Sequence, residues 1–309
     1  MQAATCKALA ALFLSAWAIG AQPPAGQKQT QPEFVRQAGQ ASREGRLDDA
    51  LAIYRKELAG TPDSAAANRG AGVVLDLMGK GAEARKYFEK AIAAAATPQA
   101  KAGAERDMAM SYAFEGDCRN TVKYERMVVD YYATTKDFFQ QGEVADEAAR
   151  VCIDAGDFDA AEKWYKQGHD LGLKEPGITP ERKDLWEFRW EHAQGRIAAR
   201  RGSQAEAQKH VAAAKAILDR DPKMNPPQEV FYHYLAGYVA LYGGDGKKAL
   251  EELQQANQND AFIQCLMGQA YEKAGDKEKA MEYYRKAAAT TSHNPPGAYS
   301  RPFARKKLG

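Results

Sequence analysis

The sequence predicts an all-α chain of stacked helix pairs, and three observations carry that prediction. The stretch from Gly268 to Ala287 reads as two short amphipathic helices meeting at Gly275. Counted from that glycine, a small residue lies seven back (Gly268) and an aromatic four back (Tyr271), while Ala280, Tyr284 and Ala287 lie five, nine and twelve ahead. The same pattern recurs along the chain. Finally, alanine-rich, charge-laced segments without runs of β-branched residues favour helix throughout.

Each element of the pattern has a physical role. Glycine takes the backbone angles that a tight helix–helix corner needs. The small residues let one helix lie close against the other, and the aromatics fill the gap between apolar faces. Around Gly45 the offsets give Ala38, Ala50 and Tyr54, with Pro62 closing the unit; around Gly79 they give Gly72, Leu75, Ala84, Phe88 and Ala91. Gly116 is flanked by Ala109 and Tyr112, but its second helix offers Thr121, Glu125 and Val128, a weak match. Gly156 brings Ala149, Cys152, Ala161 and Tyr165; Gly202 brings Gly195, Ala198, Ala207, Val211 and Ala214; Gly244 brings Gly237, Ala240, Ala249, Leu253 and Ala256. The seven turn glycines stand 31 to 46 residues apart.

This arrangement resembles the tetratricopeptide repeat, whose period is about 34 residues. The resemblance implies a right-handed α-solenoid of about seven TPR-like helix-turn-helix repeats, and implies function as far as binding another protein. Each repeat contacts only its neighbours, so 309 residues need not divide into compact domains.

Composition narrows the partners. Forty-three basic and forty-one acidic residues leave a formal charge of +2. That balance gives no reason to expect nucleic acid, which needs a clustered basic face. Residues 1–21 read as a signal peptide: Lys7 starts it, Ala8–Ile19 is an apolar core, and Gly20 or Ala21 offers a small residue for cleavage. The run is short for a bilayer span. An exported, periplasmic or secreted protein is expected, with no transmembrane anchor after cleavage. Export leaves Cys118, Cys152 and Cys265, an odd count that allows at most one bridge. Cys118 falls at the corner of the third repeat and Cys152 late in the first helix of the fourth, so a bridge and two separate thiols both stand as readings. Cys265, among Phe262, Leu266 and Met267, reads as inert packing.

Residues 22–33 are a polar Pro- and Gln-rich lead-in, residues 34–292 the solenoid, and residues 293–309 a capping segment. Breaks are expected at Leu173–Pro180 and Asp221–Pro227, where prolines exclude continuous helix. In the cap, Tyr299, Phe303 and Leu308 would cover the open apolar end, with Arg301, Arg305, Lys306 and Lys307 towards water.

Motifs for catalysis are missing from the sequence. His169, His192, His210, His233 and His293 form no zinc-protease spacing; there is no phosphate loop, no nucleophile elbow and no CxxC pair. Asp48–Asp49 and Glu251–Glu252 are read near the starts of second helices, favouring the helix dipole. Asp146 and Glu147 are read as solvated. No enzyme, cofactor or metal is expected.

What remains is recognition. The resemblance implies that first helices line a concave groove, with positions thirteen, ten, six, three and two before the turn glycine facing it. Those offsets select Arg69, Arg106, Arg150, Arg189, His192, Arg196, Arg200, Tyr234, Tyr238 and Tyr242 as a peptide-binding surface. Arginine forks would take carboxylates and tyrosines would cradle apolar side chains. The function expected is a non-catalytic interaction scaffold or adaptor in the bacterial cell envelope. Alternatives are an accessory of outer-membrane biogenesis or exopolysaccharide secretion, the recruiting subunit of an envelope hydrolase, or a structural spacer.

Overall fold

The computed structural model describes residues 31–221 and 225–309. The expected signal peptide and most of the lead-in lie outside the described residues. Helix pairs then run in order. α1 (Glu33–Arg43) and α2 (Leu47–Gly60) turn at Gly45, α3 (Ala65–Leu77) and α4 (Gly81–Ala93) at Gly79. α5 (Pro98–Ala113) and α6 (Cys118–Thr134) turn at Gly116, α7 (Phe138–Ala155) and α8 (Phe158–Gly172) at Gly156. α9 (Pro180–Arg200) and α10 (Gln204–Arg220) turn at Gly202, α11 (Asn225–Tyr242) and α12 (Gly246–Leu253) at Gly244, and α13 (Ala261–Ala274) and α14 (Lys277–Ala288) at Gly275. A last helix, α15 (Pro295–Leu308), follows. Among the described residues there is no strand.

All seven turn glycines sit at positive φ, from +70° to +91°, the left-handed region that favours a residue without Cβ. Four are followed by an aspartate (Asp117, Asp157, Asp245 and Asp276) whose carboxylate accepts from a backbone N–H in the first turn of the second helix. An eighth corner of the same build joins α6 to α7, where Lys136 takes φ of 57° and Asp137 caps. Without glycine there, the pattern did not reveal it.

The offsets from each turn are packing contacts. A Cβ on Gly72 would come within 2.5 Å of the Phe88 ring, and one on Gly268 within 2.6 Å of the Tyr284 ring. The glycine seven before the corner is therefore the seat of the ring nine after it. Ala38, Ala50, Ala84, Ala109, Ala149, Ala161, Ala207 and Ala249 are fully buried at the equivalent helix crossings. The weak third repeat is explained by Glu125, which occupies the ring's place and is fully buried, with neither carboxylate oxygen bonded.

Cys118, at the start of α6, is bonded to Cys152 near the end of α7, with Cα atoms 4.8 Å apart. Cys265 is a buried free thiol whose pKa is pushed well up by burial. The break after α8 spans residues 173–179, as the prolines indicate. Pro226 and Pro227, expected in the second break, belong to the first turn of α11, where a missing N–H costs little.

The C-terminal segment does more than cap. α15 packs on α13 and α14 and also on α5 and α7, so the end of the chain lies against its third and fourth repeats. Ala298 is buried among Ala109, Met110, Ala113 and Val151. The helices α5, α7 and α13 therefore face a common interior, the inner side of the superhelix, and α15 occupies part of it. Arg301 is buried, not turned to water: Nε donates to the Leu77 carbonyl at 2.7 Å, and Nη1 to those of Ala288 and Thr290. Helix packed on both sides leaves Arg301 no solvent face. Leu308, expected to cover the end, is exposed.

Candidate functional site

The inner helices carry every residue selected for the groove, but the side chains are largely engaged with one another. Arg69 Nε donates to Asp107 at 2.5 Å, and Arg106 makes a two-pronged pair with Glu147. Arg189 pairs with Glu143 and lies over the Trp186 ring at 4.9 Å. Each pair joins first helices of different repeats, so the arginines act as rungs between repeats. The acids were not selected from sequence. The signal was present: Asp107 and Glu147 each lie nine before their turn glycine, one place from an arginine ten before the preceding one.

Arg196 and Arg200 correct the expectation of free forks facing a ligand. Arg196 is only 5% exposed. It donates to the Tyr165 hydroxyl at 2.5 Å, the Tyr234 hydroxyl at 3.1 Å and the His192 carbonyl. Arg200 donates to the Tyr238 hydroxyl at 3.3 Å and lies over the rings of Phe158 and Tyr242. Tyr234 and Tyr238 are buried in the seam between repeats, with only Tyr242 partly open. The rings fill space between helices because the neighbouring small residues leave room for them.

Asp146 and Glu147 are likewise buried, not solvated, because α7 is covered by α6, α8 and α15. Desolvation raises both carboxyls, and Arg106 pulls Glu147 back. Burial also raises Asp154 to about 6 and the Tyr165 hydroxyl to about 12. His192 is held neutral, its pKa lowered first by burial and then by Arg196 and Arg150. Glu251 and Glu252 fall in the last turn of the short α12, not at a helix start; Glu252 instead pairs with Lys248 and His233.

Two cavities on this inner face are lined by the selected residues. One of about 660 Å³ lies between α3, α5, α7 and the Ser292–Pro295 link; Arg69, Arg106, Asp107 and His293 are on its wall. The other, about 110 Å³, is walled by α7, α8, α9, α11 and α13, and includes Arg150, Arg189, His192, Arg196 and Tyr234. Thus the ten selected residues do not form one continuous strip. Among the described residues no cluster of His, Cys, Asp and Glu has metal-binding geometry, and no helix is long and apolar enough to cross a membrane.

Fold and inner face together define an α-solenoid of helix pairs whose first helices share one side. Residues 263–291 match the family model of the tetratricopeptide repeat, and the helix pairs before them repeat the same build. Cellulose synthase operon protein C of Escherichia coli (strain K12) is 30% identical over 143 residues, 45% of this chain and 11% of that protein. The chain therefore spans a small part of the curated relative's length. Among solved structures, a tetratricopeptide repeat protein from Parabacteroides merdae superposes with a TM-score of 0.49 at 13% identity, covering 82% of this chain and 91% of that one. Pseudomonas aeruginosa pilF gives a TM-score of 0.43 at 13% identity, covering 72% and 88%.

Proposed function

We propose that the chain is a non-catalytic scaffold that holds a partner protein at the bacterial cell envelope. The observation that supports this reading is the run of helix pairs from Glu33 to Ala288, an architecture whose use is protein interaction. The leader-like residues 1–21 support export. The surface offered is the accessible part of the inner face, centred on Arg69, whose side chain is 43% exposed, and on Arg106 and Tyr242. An acidic segment of a partner would exchange with the internal acids Asp107 and Glu147 there.

A second reading is favoured by the 143-residue match to cellulose synthase operon protein C: the partner belongs to an exopolysaccharide synthesis or export assembly. In-cell crosslinking of the full chain in its own host, compared with Arg69→Glu, tests both. A stoichiometric partner lost in the variant is expected, and exopolysaccharide output should fall on deletion if the second reading holds. A chain that stays uncrosslinked in the envelope, or a leader recovered intact in the cytosol, would end the proposal.

A further inference from the structure

The smaller cavity has a polar wall that the scaffold reading does not use. Arg150 is 8% exposed, and its Nε and Nη2 find no hydrogen-bond partner among the described residues. Its guanidinium lies 4.6 Å from the Phe262 ring centroid and 5.9 Å from that of Tyr234. Ring faces attract the cation but accept no in-plane hydrogen bond, so the fork is left for an anion. Arg196, its neighbour, has donors already taken by two tyrosine hydroxyls and a carbonyl. Asp146, whose carboxyl burial raises well above the usual range, and Asp154, one turn beyond Arg150 with its Oδ2 unpartnered, both lie near without bonding to the fork's Nε or Nη2.

His192 adds a second requirement. Burial holds its ring neutral, and Nε2 has no hydrogen-bond partner. A neutral imidazole carries one proton and one bare nitrogen, and in the tautomer with the proton on Nδ1 the unpartnered Nε2 is an acceptor. The wall thus presents a cationic fork and, across the same Tyr234 ring, one acceptor; the His192 and Tyr234 centroids are 4.8 Å apart. Phe188, Phe231 and Ile263 supply apolar wall. Size limits the occupant: an apolar cavity of about 150 Å³ holds benzene, so this one of about 110 Å³ holds a smaller group.

We propose that this cavity binds a small free monocarboxylate carrying a hydrogen-bond donor on the adjacent carbon, as in a 2-hydroxy acid, with the carboxylate on Arg150 and the donor on His192 Nε2. The free C-terminal residue of a peptide offers the same chemistry, a carboxylate beside an N–H. The site is independent of the scaffold reading, since a partner protein can bind elsewhere on the solenoid.

Calorimetric titration of the full chain with lactate, propionate, lactamide and N-acetyl-glycyl-alanine tests it. Lactate should bind saturably at one site, propionate about tenfold more weakly, and lactamide weaker still, because charge-assisted and neutral hydrogen bonds are lost in turn. Arg150→Met should lose lactate by about tenfold or more, and His192→Phe should erase the preference for lactate over propionate. Melting curves check both folds; if Arg150→Met does not fold, the ligand series and His192→Phe decide. Lactamide binding as well as lactate, or no saturable binding at about 10 mM, overturns the proposal. Binding of the dipeptide without lactate assigns the site to a peptide end and overturns the free acid.

Discussion

His293 Nε2 meets the Asp76 carboxylate at 2.9 Å across 217 residues of sequence, with both side chains nearly out of solvent. The carboxylate accepts from Ser111 on its other oxygen, and the imidazole lies between the rings of Phe88 and Phe114. The last segment is thereby fastened to the second and third repeats by polar bonds with exact partners on both sides, and Arg301 on the Leu77 carbonyl repeats the connection one helix further on.

Asp76→Ala and His293→Ala should each destabilise the chain by about 1–3 kcal/mol, since each leaves a buried polar group unmatched. A double-mutant cycle in urea should show coupling of about 1 kcal/mol or more. Additive losses would mean that the contact does not hold the closure.

Reducing the Cys118–Cys152 bridge opens a loop with a sequence separation of 34. On the loop-entropy model this costs about 3–4 kcal/mol. Unfolding of the Cys118→Ala/Cys152→Ala variant checks the figure. In peptide maps of the unreduced, denatured protein, Cys265 should be alkylated while the other two are not.

Charge reversal should separate buried from open arginines. Arg196→Glu places a carboxylate among the Tyr165 and Tyr234 hydroxyls and should cost about 3–5 kcal/mol, enough to unfold a marginal chain. Arg69→Glu sits at an open rim beside Asp107 and should keep the fold. Equal melting points for the two variants would contradict the packing described above.

Glu125→Leu should stabilise the chain by about 1–3 kcal/mol at neutral pH, because it replaces an unpartnered buried carboxyl with the apolar side chain that Leu253 provides in the sixth repeat. The pH dependence has a definite sign. Burial, reinforced by Glu147, raises the Glu125 carboxyl well above 4.5 in the folded chain. The unfolded chain therefore releases this proton first as pH rises, and the wild type loses stability from about pH 4.5 upward until the folded carboxyl also ionises. Urea midpoints across this range should show the advantage of Glu125→Leu growing with pH. A constant advantage would place the charge elsewhere.

The repeats were legible because glycine, alanine and aromatic offsets encode backbone angle and helix spacing, which are local properties. Gly72 under Phe88 and Gly268 under Tyr284 can be read from one unit alone. The corner at Lys136 was not legible, since its left-handed turn lacks the glycine that marks the others. For the candidate site, the offsets found the inner face but not its state. Whether Arg196 meets a ligand or Tyr165 depends on how far α9 stands from α8 of the preceding repeat, and no single repeat specifies that distance. Similarly, Asp146 and Glu147 read as solvated because nothing in α7 announces that Gly168 of α8 and Arg106 of α5 will close over the pair.

The return of α15 to the early repeats also sets an order of events. A chain made from its N-terminus forms α3, α5 and α7 well before Pro295 exists, so their inner faces stay uncovered through most of synthesis. Only arrival of the final residues supplies His293 to Asp76 and Arg301 to Leu77. Maturation therefore waits on residues 293–309, and a chain shortened there would leave an unfinished inner surface open to holding chaperones.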